Sequence, residues 1–396
     1  MRASDQERDP RAAGGFETLC AHFGEPRTDQ RGAASPPIYQ TSTFVYPDAE
    51  SFDRRDQPDT PFYDYTRRSN PTTAVFEAKL ARLEHGNWAR AFASGMGAIT
   101  AAINLRLTTD AHVVVVSDCY QPTRRYLAEY LSRFNVSVTF VPGTNPDDFA
   151  AALRDETQLI YLESPTTGRF DVIDLAPIVA AARQRGILTM LDNSWSTPYF
   201  QCPLDLGVDL VVHSATKFIG GHSDTLGGVV VGRDDALGRK LCCEAENLGA
   251  SIDPFAAWLL VRGLRTLAVR MEQHQRSGLA LARMLAAHPA VQRVYHPGLE
   301  SYANYAVGRR QMRGYSGLFS FALRDQSQAA AHRFMNRLRI FSIGCSWGGY
   351  ESLVVGGLSS TLFAANAGEP AWIIRLHAGL ESTDDLLNDV RHALED

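Results

Sequence analysis

The sequence predicts an α/β protein, with a mainly parallel central sheet in a large domain and a smaller α+β domain after it. Three observations carry this. Short apolar runs alternate with stretches of helical spacing from residue 91 to residue 231. One run, Val113-Val114-Val115-Val116, is apolar throughout, as in a parallel strand covered on both faces. Past residue 250 the alternation gives way to a long helical pattern and a few short strands. With 396 residues, 45% of them hydrophobic, the chain is long enough to bury more than one core. The expected division is an N-terminal arm over 1–62, a large domain over 63–252 and an α+β domain over 253–396.

In order, residues 1–15 are polar, charged and glycine-ended, and disorder is expected there. Residues 16–62 read as an irregular arm. Pro36-Pro37 and the run Tyr39-Gln40-Thr41-Ser42-Thr43-Phe44 suit a segment that lies on another surface. Asn70-Pro71 marks a turn, and Thr72 is the expected cap of a helix with apolar Val75, Phe76, Leu80 and Leu83. Strands are expected at 91–93, 113–116, 136–141, 159–162, 188–191, 210–212 and 227–231, with a helix at 175–182 among those between them. A long helix is expected over 264–287, strands over 318–322 and 373–376, and helices over 329–338 and 384–394.

The net charge is −5 and the charge is scattered. No basic stripe points to nucleic acid. No apolar run approaches the roughly 18 residues that span a bilayer, and the first residues lack the apolar core of a signal peptide. A cytoplasmic protein is the expectation. The six cysteines include no C-x-x-C pair and suit reduced thiols better than disulfides or zinc. The histidines show no metal-binding spacing, and no metal site is expected.

In open α/β sheets ligands bind at the carboxyl ends of the strands. The residues there are Ser94-Gly95-Met96-Gly97, then Asp118 and Tyr120, then Glu163-Ser164-Pro165, then Asp192-Asn193, then Ser214, Thr216 and Lys217. Each has an ordinary reading alone: a turn hydroxyl, a helix cap, a half-buried tyrosine, a lysine reaching out of a strand end. Together they match pyridoxal 5′-phosphate. Its aldehyde needs a lysine amine of lowered pKa. Its pyridine nitrogen needs a carboxylate to stay protonated, its phosphate needs helix N–H groups and hydroxyls, and its ring needs a cover.

The segments Ser214-Ala215-Thr216-Lys217, Gly221-His222-Ser223-Asp224, Tyr65-Thr66-Arg67, Ser94-Gly95-Met96, Glu163-Ser164-Pro165, Asp192-Asn193 and Glu351-Ser352-Leu353 resemble the pyridoxal-phosphate enzymes of cysteine and methionine metabolism. The likeness runs from about Tyr39 to the C-terminus. Within the family, the run 346–353 and Ile374-Arg375-Leu376-His377 are most similar to bacterial cystathionine β-lyases, because other branches usually carry Leu where Trp347 stands. The resemblance implies the aspartate aminotransferase-like fold type I and a carbon–sulfur lyase of trans-sulfuration. Its substrate would be cystathionine, cleaved to homocysteine, pyruvate and ammonia. It implies that Lys217 binds the cofactor covalently and moves the Cα proton, and that Asp192 pairs with the ring nitrogen. Gly95, Met96, Ser214 and Thr216 would hold the phosphate, and Tyr120 would stack on the ring and help activate the substrate. Tyr65 and Arg67 would reach the phosphate in a neighbouring subunit, giving a homo-oligomer, at least a dimer and by family habit a tetramer. Arg375 would clamp the substrate carboxylate, Ser346 and Trp347 would line its pocket, and Arg68 would meet its distal end.

Three positions depart from the β-lyase pattern: Cys345 in place of Tyr, Thr167 in place of Asn, and Gln121-Pro122 in place of Gly-Gly. They leave open a γ-acting relative, such as a cystathionine γ-synthase, cystathionine γ-lyase or methionine γ-lyase. A lyase for another S- or O-substituted amino acid also stays open. A different class is the α/β-hydrolase, because Gly344-Cys345-Ser346-Trp347-Gly348 fits G-x-S-x-G with Ser346 as nucleophile. That motif needs a strand-to-helix turn, whereas a strand-like run is expected at 352–355.

Overall fold

The structure, a computed structural model, describes residues 13–25, 31–57, 60–358 and 372–395. Most of the segment for which disorder is expected therefore lies outside the described residues. Two sheets organise the chain. The first has strands β1 (Trp88–Phe92), β2 (His112–Val116), β3 (Ser137–Val141), β4 (Thr157–Glu163), β5 (Leu188–Asp192), β6 (Leu210–His213) and β7 (Gly228–Gly232). Their order is β1-β7-β6-β5-β4-β2-β3. Every pairing from β3 across to β6 is parallel, and β7 alone runs against its neighbours β6 and β1. The ends of β1, β2, β4, β5 and β6 thus open on one edge. Val113 to Val116 are all fully buried, as expected for a strand covered on both faces.

The second sheet contains β8 (Val291–Tyr295), β9 (Leu318–Leu323), β10 (Ser342–Ile343), β11 (Leu353–Leu358) and β12 (Trp372–His377), in the order β10-β11-β12-β9-β8. It is antiparallel apart from the short β10–β11 pair. Its core packs Phe319, Phe321 and Ile374 against Leu281 and Leu285 of helix Leu267–Ala287.

Several expectations are corrected. The arm is not wholly irregular, since Phe16–His22 and Ala49–Asp53 are short helices. Asp48 caps the second of them through Ser51 N–H. The arm is tied down by Glu25, which accepts from the buried Lys79 amine at 2.5 Å and from Arg265 at 2.6 Å. Lys79 also donates to the Cys20 carbonyl at 2.7 Å. A buried cation costs several kcal/mol unless it is paired in this way. Helix Pro71–Leu83 is capped by Asn70, not Thr72: the Asn70 side chain accepts from Thr72 N–H at 2.9 Å, and Pro71 takes the first position. The expected long helix over 264–287 is two, Pro254–Arg265 and Leu267–Ala287. They part at Thr266 because the Gly263 carbonyl accepts from Thr266 N–H at 3.2 Å and from the Arg270 guanidinium at 2.7 Å. Strand β8 and helices Asp235–Leu248 and Tyr305–Gln311 are additions; β8 buries Val291, Val294 and Tyr295, with the exposed Gln292-Arg293 interrupting its alternation.

Candidate active site

The parallel strand ends open on a cavity of about 420 Å³ that the second sheet closes from the other side. From the first sheet come Gly95, Met96, Tyr120, Asp192, Ser214, Thr216 and Lys217; from the second come Ser346, Trp347 and Arg375. The structure therefore gathers in one space ten residues expected at the site from sequence.

Local chemistry places each of them. Ser94, two residues past the end of β1, caps helix Gly95–Asn104 by accepting from Gly97 N–H at 3.1 Å. The N–H groups of Gly95 and Met96 are not used in that cap, and the helix dipole leaves this end positive. A Cβ on residue 95 would sit 2.7 Å from Ser214 Oγ, so glycine is what lets the helix start lie against the Ser214 turn. Thr216 Oγ1 accepts from Gly227 N–H at 3.0 Å and fixes that turn. The donors and acceptors are thus arranged as a cradle for an anion at one end of the cavity.

Asp192 stands at the end of β5 and accepts from Ser194 N–H at 2.9 Å. Burial pushes its carboxyl above the usual range, against the effect of that hydrogen bond. A cation facing it would reverse that shift. Glu163, at the end of β4, is raised as well, first by burial and then by the charge of Asp192. It accepts from Tyr120 N–H at 2.7 Å, Tyr161 O–H at 3.1 Å and Thr167 O–H at 2.7 Å. This carboxyl sets the Tyr120 loop and gives Thr167 a partner. Burial, then the charges of Asp192 and Glu163, push the Tyr120 phenol up, so it carries its proton at neutral pH.

Lys217 reaches into the cavity and donates to Ser346 Oγ at 2.9 Å. Its amine lies 5.2 Å from the centroid of the Trp347 ring. Burial, then the charge of Arg375, hold the amine below the ordinary lysine value. A neutral amine is what condensation with an aldehyde requires. The 346–348 loop lies against the Lys217 backbone: a Cβ on Gly348 would meet Phe218 N at 2.7 Å, and the φ of Gly348 is +87°. Arg375, on β12, donates to the Cys345 carbonyl at 2.7 Å.

Three expected residues do not line this cavity. Arg68 pairs with Asp56 at 2.9 Å, Asp64 at 3.3 Å and Glu246 at 3.5 Å. Tyr65 is exposed, and the Arg67 guanidinium stacks over its ring at 5.2 Å. In the other direction, the cavity includes Glu163, Ser194, Trp195 and Leu226, to which sequence reasoning gave no role. Glu163 was visible as a strand-end carboxylate, whereas Trp195 could not be found that way, because its Nε1–H joins the two sheets through the Leu318 carbonyl. The hydrolase reading does not fit. Ser346 lies in the loop from β10 to β11, with no strand-to-helix turn, and its hydroxyl partners Lys217.

A lysine amine, a buried carboxylate, an anion cradle and an aromatic are the groups pyridoxal phosphate needs, and they share one cavity of suitable size. Comparison with known proteins agrees. A family described as "Cys/Met metabolism PLP-dependent enzyme" matches residues 17–395. A cystathionine gamma-lyase of Bacillus subtilis is 37% identical over 96% of this chain and 99% of its own. An L-methionine gamma-lyase of Porphyromonas gingivalis is 38% identical over 96% and 97%. A cystathionine gamma-synthase of Mycobacterium leprae is 35% identical over 99% and 100%. The crystal structure of metB from Corynebacterium glutamicum superposes with a TM-score of 0.89 at 32% identity, covering 97% of this chain and 98% of that one. The chain belongs to the pyridoxal-phosphate-dependent enzymes of cysteine and methionine metabolism, lyases and synthases built on fold type I.

Proposed function

We propose that the enzyme breaks the Cβ–S bond of a sulfur amino acid by α,β-elimination, with cystathionine giving homocysteine, pyruvate and ammonia. The observation that carries this reading is the seat of Lys217, bonded to Ser346 and packed beside Trp347. β-Elimination needs one proton taken, at Cα. γ-Elimination also needs proton movement at Cβ, and so a base with more freedom to travel. The resemblance of Ser346-Trp347 to β-lyases supports the same reading.

In this reading Gly95, Met96, Ser214 and Thr216 hold the cofactor phosphate, Asp192 the ring nitrogen and Tyr120 the ring face. Bound pyridoxal phosphate supplies an electron sink for the charge left at Cα. Arg375 binds the substrate carboxylate and orients the Cα–H bond toward Lys217. Lys217 takes the proton from Cα, and the Cβ–S bond pair leaves with sulfur. The protonated Tyr120 phenol is placed to give the departing thiolate a proton. The three-carbon enamine then hydrolyses to pyruvate and ammonia. Alternative substrates test the regiochemistry. S-Methyl-L-cysteine has its sulfur on Cβ and should give pyruvate and methanethiol. L-Methionine has it on Cγ and should be inert; turnover of methionine alone would reverse the assignment.

A γ-acting enzyme is the second reading. It is favoured by the relatives above, which are named as γ-lyases and a γ-synthase.

We further infer a dimer at least, and a tetramer as a dimer of dimers, in which Tyr65 and Arg67 serve the neighbouring subunit. Their placement outside their own cavity supports this. Arg67→Ala and Lys217→Ala proteins, each inactive alone, should regain up to roughly a quarter of the activity when unfolded and refolded together. No recovery in mixed oligomers would count against shared sites. A cytoplasmic setting goes with the six free thiols and is checked by cell fractionation. No helix of the described residues is long and apolar enough to cross a membrane.

A further inference from the structure

Glu84 does not line the cavity. It caps the C-terminal end of helix Pro71–Leu83 and is fully buried. One oxygen, Oε1, meets two partners: His213 Nε2 at 2.6 Å and Asn193 Nδ2 at 2.8 Å. Toward an ionised carboxylate, Nε2 is the donor of that first bond. His213 is the last residue of β6, directly before Ser214 and four before Lys217. Asn193 directly follows Asp192. A single carboxylate oxygen therefore ties the strand end that carries Asp192 to the one that carries Lys217. Two further links reinforce the tie: Asn193 N–H donates to the Val212 carbonyl at 2.9 Å, and Ser214 N–H to the Ser194 hydroxyl at 2.6 Å.

A stability role alone explains this arrangement poorly. His213 and Glu84 are both wholly buried, and a buried pair of this kind is no more stabilising than an apolar pair of the same volume. Among the described residues, Glu84 Oε2, His213 Nδ1 and Asn193 Oδ1 also find no hydrogen-bond partner, which adds to the cost.

We propose that Glu84 and His213 are positioning residues that fix the separation between Asp192 and Lys217, and through it the grip on the cofactor between its ring nitrogen and its aldehyde carbon. The grip should fail when the pair is made apolar and survive when its hydrogen bond is kept.

The experiment reads cofactor release from the holoenzyme, as the decay of the cofactor's visible absorption during dialysis. Glu84→Leu and His213→Leu should release cofactor about tenfold faster or more than wild type. Glu84→Gln and His213→Gln keep an acceptor and a donor in place and should stay within about threefold. Lys79→Met is the control, because it breaks a buried ion pair that anchors the arm and should lower the melting temperature without hastening release. The proposal is overturned if both leucine variants release cofactor at the wild-type rate. It is equally overturned if Lys79→Met hastens release as much as they do, or if the glutamine variants fail alongside the leucine ones. Should Glu84→Leu not fold, the two His213 variants decide the matter by the same comparison.

Discussion

Lys217→Ala should abolish turnover, with a loss of about 10⁴-fold or more, and should abolish the visible absorption of the bound cofactor. Two functions rest on this one amine. In the proposed mechanism it is the covalent tether and the base for the Cα proton; a positioned base alone is worth about 10²–10⁴. The cavity offers no ready substitute. Tyr120 is held in its protonated form by burial and by the carboxylates behind it. Arg375 is a poor base because a guanidinium does not give up its proton in this range. Absorption spectra and pyruvate release, measured on the same preparation, check the two functions separately. Normal turnover by this variant would remove Lys217 from the chemistry.

Asp192→Asn should cost about 10²–10³ in kcat, the range for loss of a preorganised charge from a water-poor site. The substitution is nearly isosteric, and its side-chain oxygen can still accept from Ser194 N–H. What it loses is the negative charge that the proposed function sets opposite the ring nitrogen. Without that charge the ring is less readily protonated and draws less electron density from Cα. The expected signature is a large fall in kcat with bound cofactor still visible. A variant with wild-type kcat would show that another group keeps the nitrogen protonated.

The distance between what was legible in the sequence and what was not has physical causes. The large sheet was legible because parallel strands covered on both faces must be apolar along their length, as 113–116 are. Their carboxyl ends must then carry the polar residues that meet a ligand, and this exposed Asp192, Tyr120 and Lys217 together. The break at Thr266 was hidden because it depends on the Arg270 side chain capturing the Gly263 carbonyl, a tertiary event with no local signal. The cap of helix Pro71–Leu83 was misplaced by two residues: Asn70 and Thr72 are both good capping types, and only geometry separates them. Glu84 was invisible for a related reason. Its partners, His213 and Asn193, lie more than a hundred residues away.

The proposed choice of bond rests on Trp347 and Ser346 beside Lys217. The direct measurement is identification of the keto acid and the thiol released from L-cystathionine by the purified holoenzyme. Cleavage at Cβ–S yields pyruvate and homocysteine, the result expected here. 2-Oxobutyrate with cysteine would contradict it and make the chain a γ-lyase.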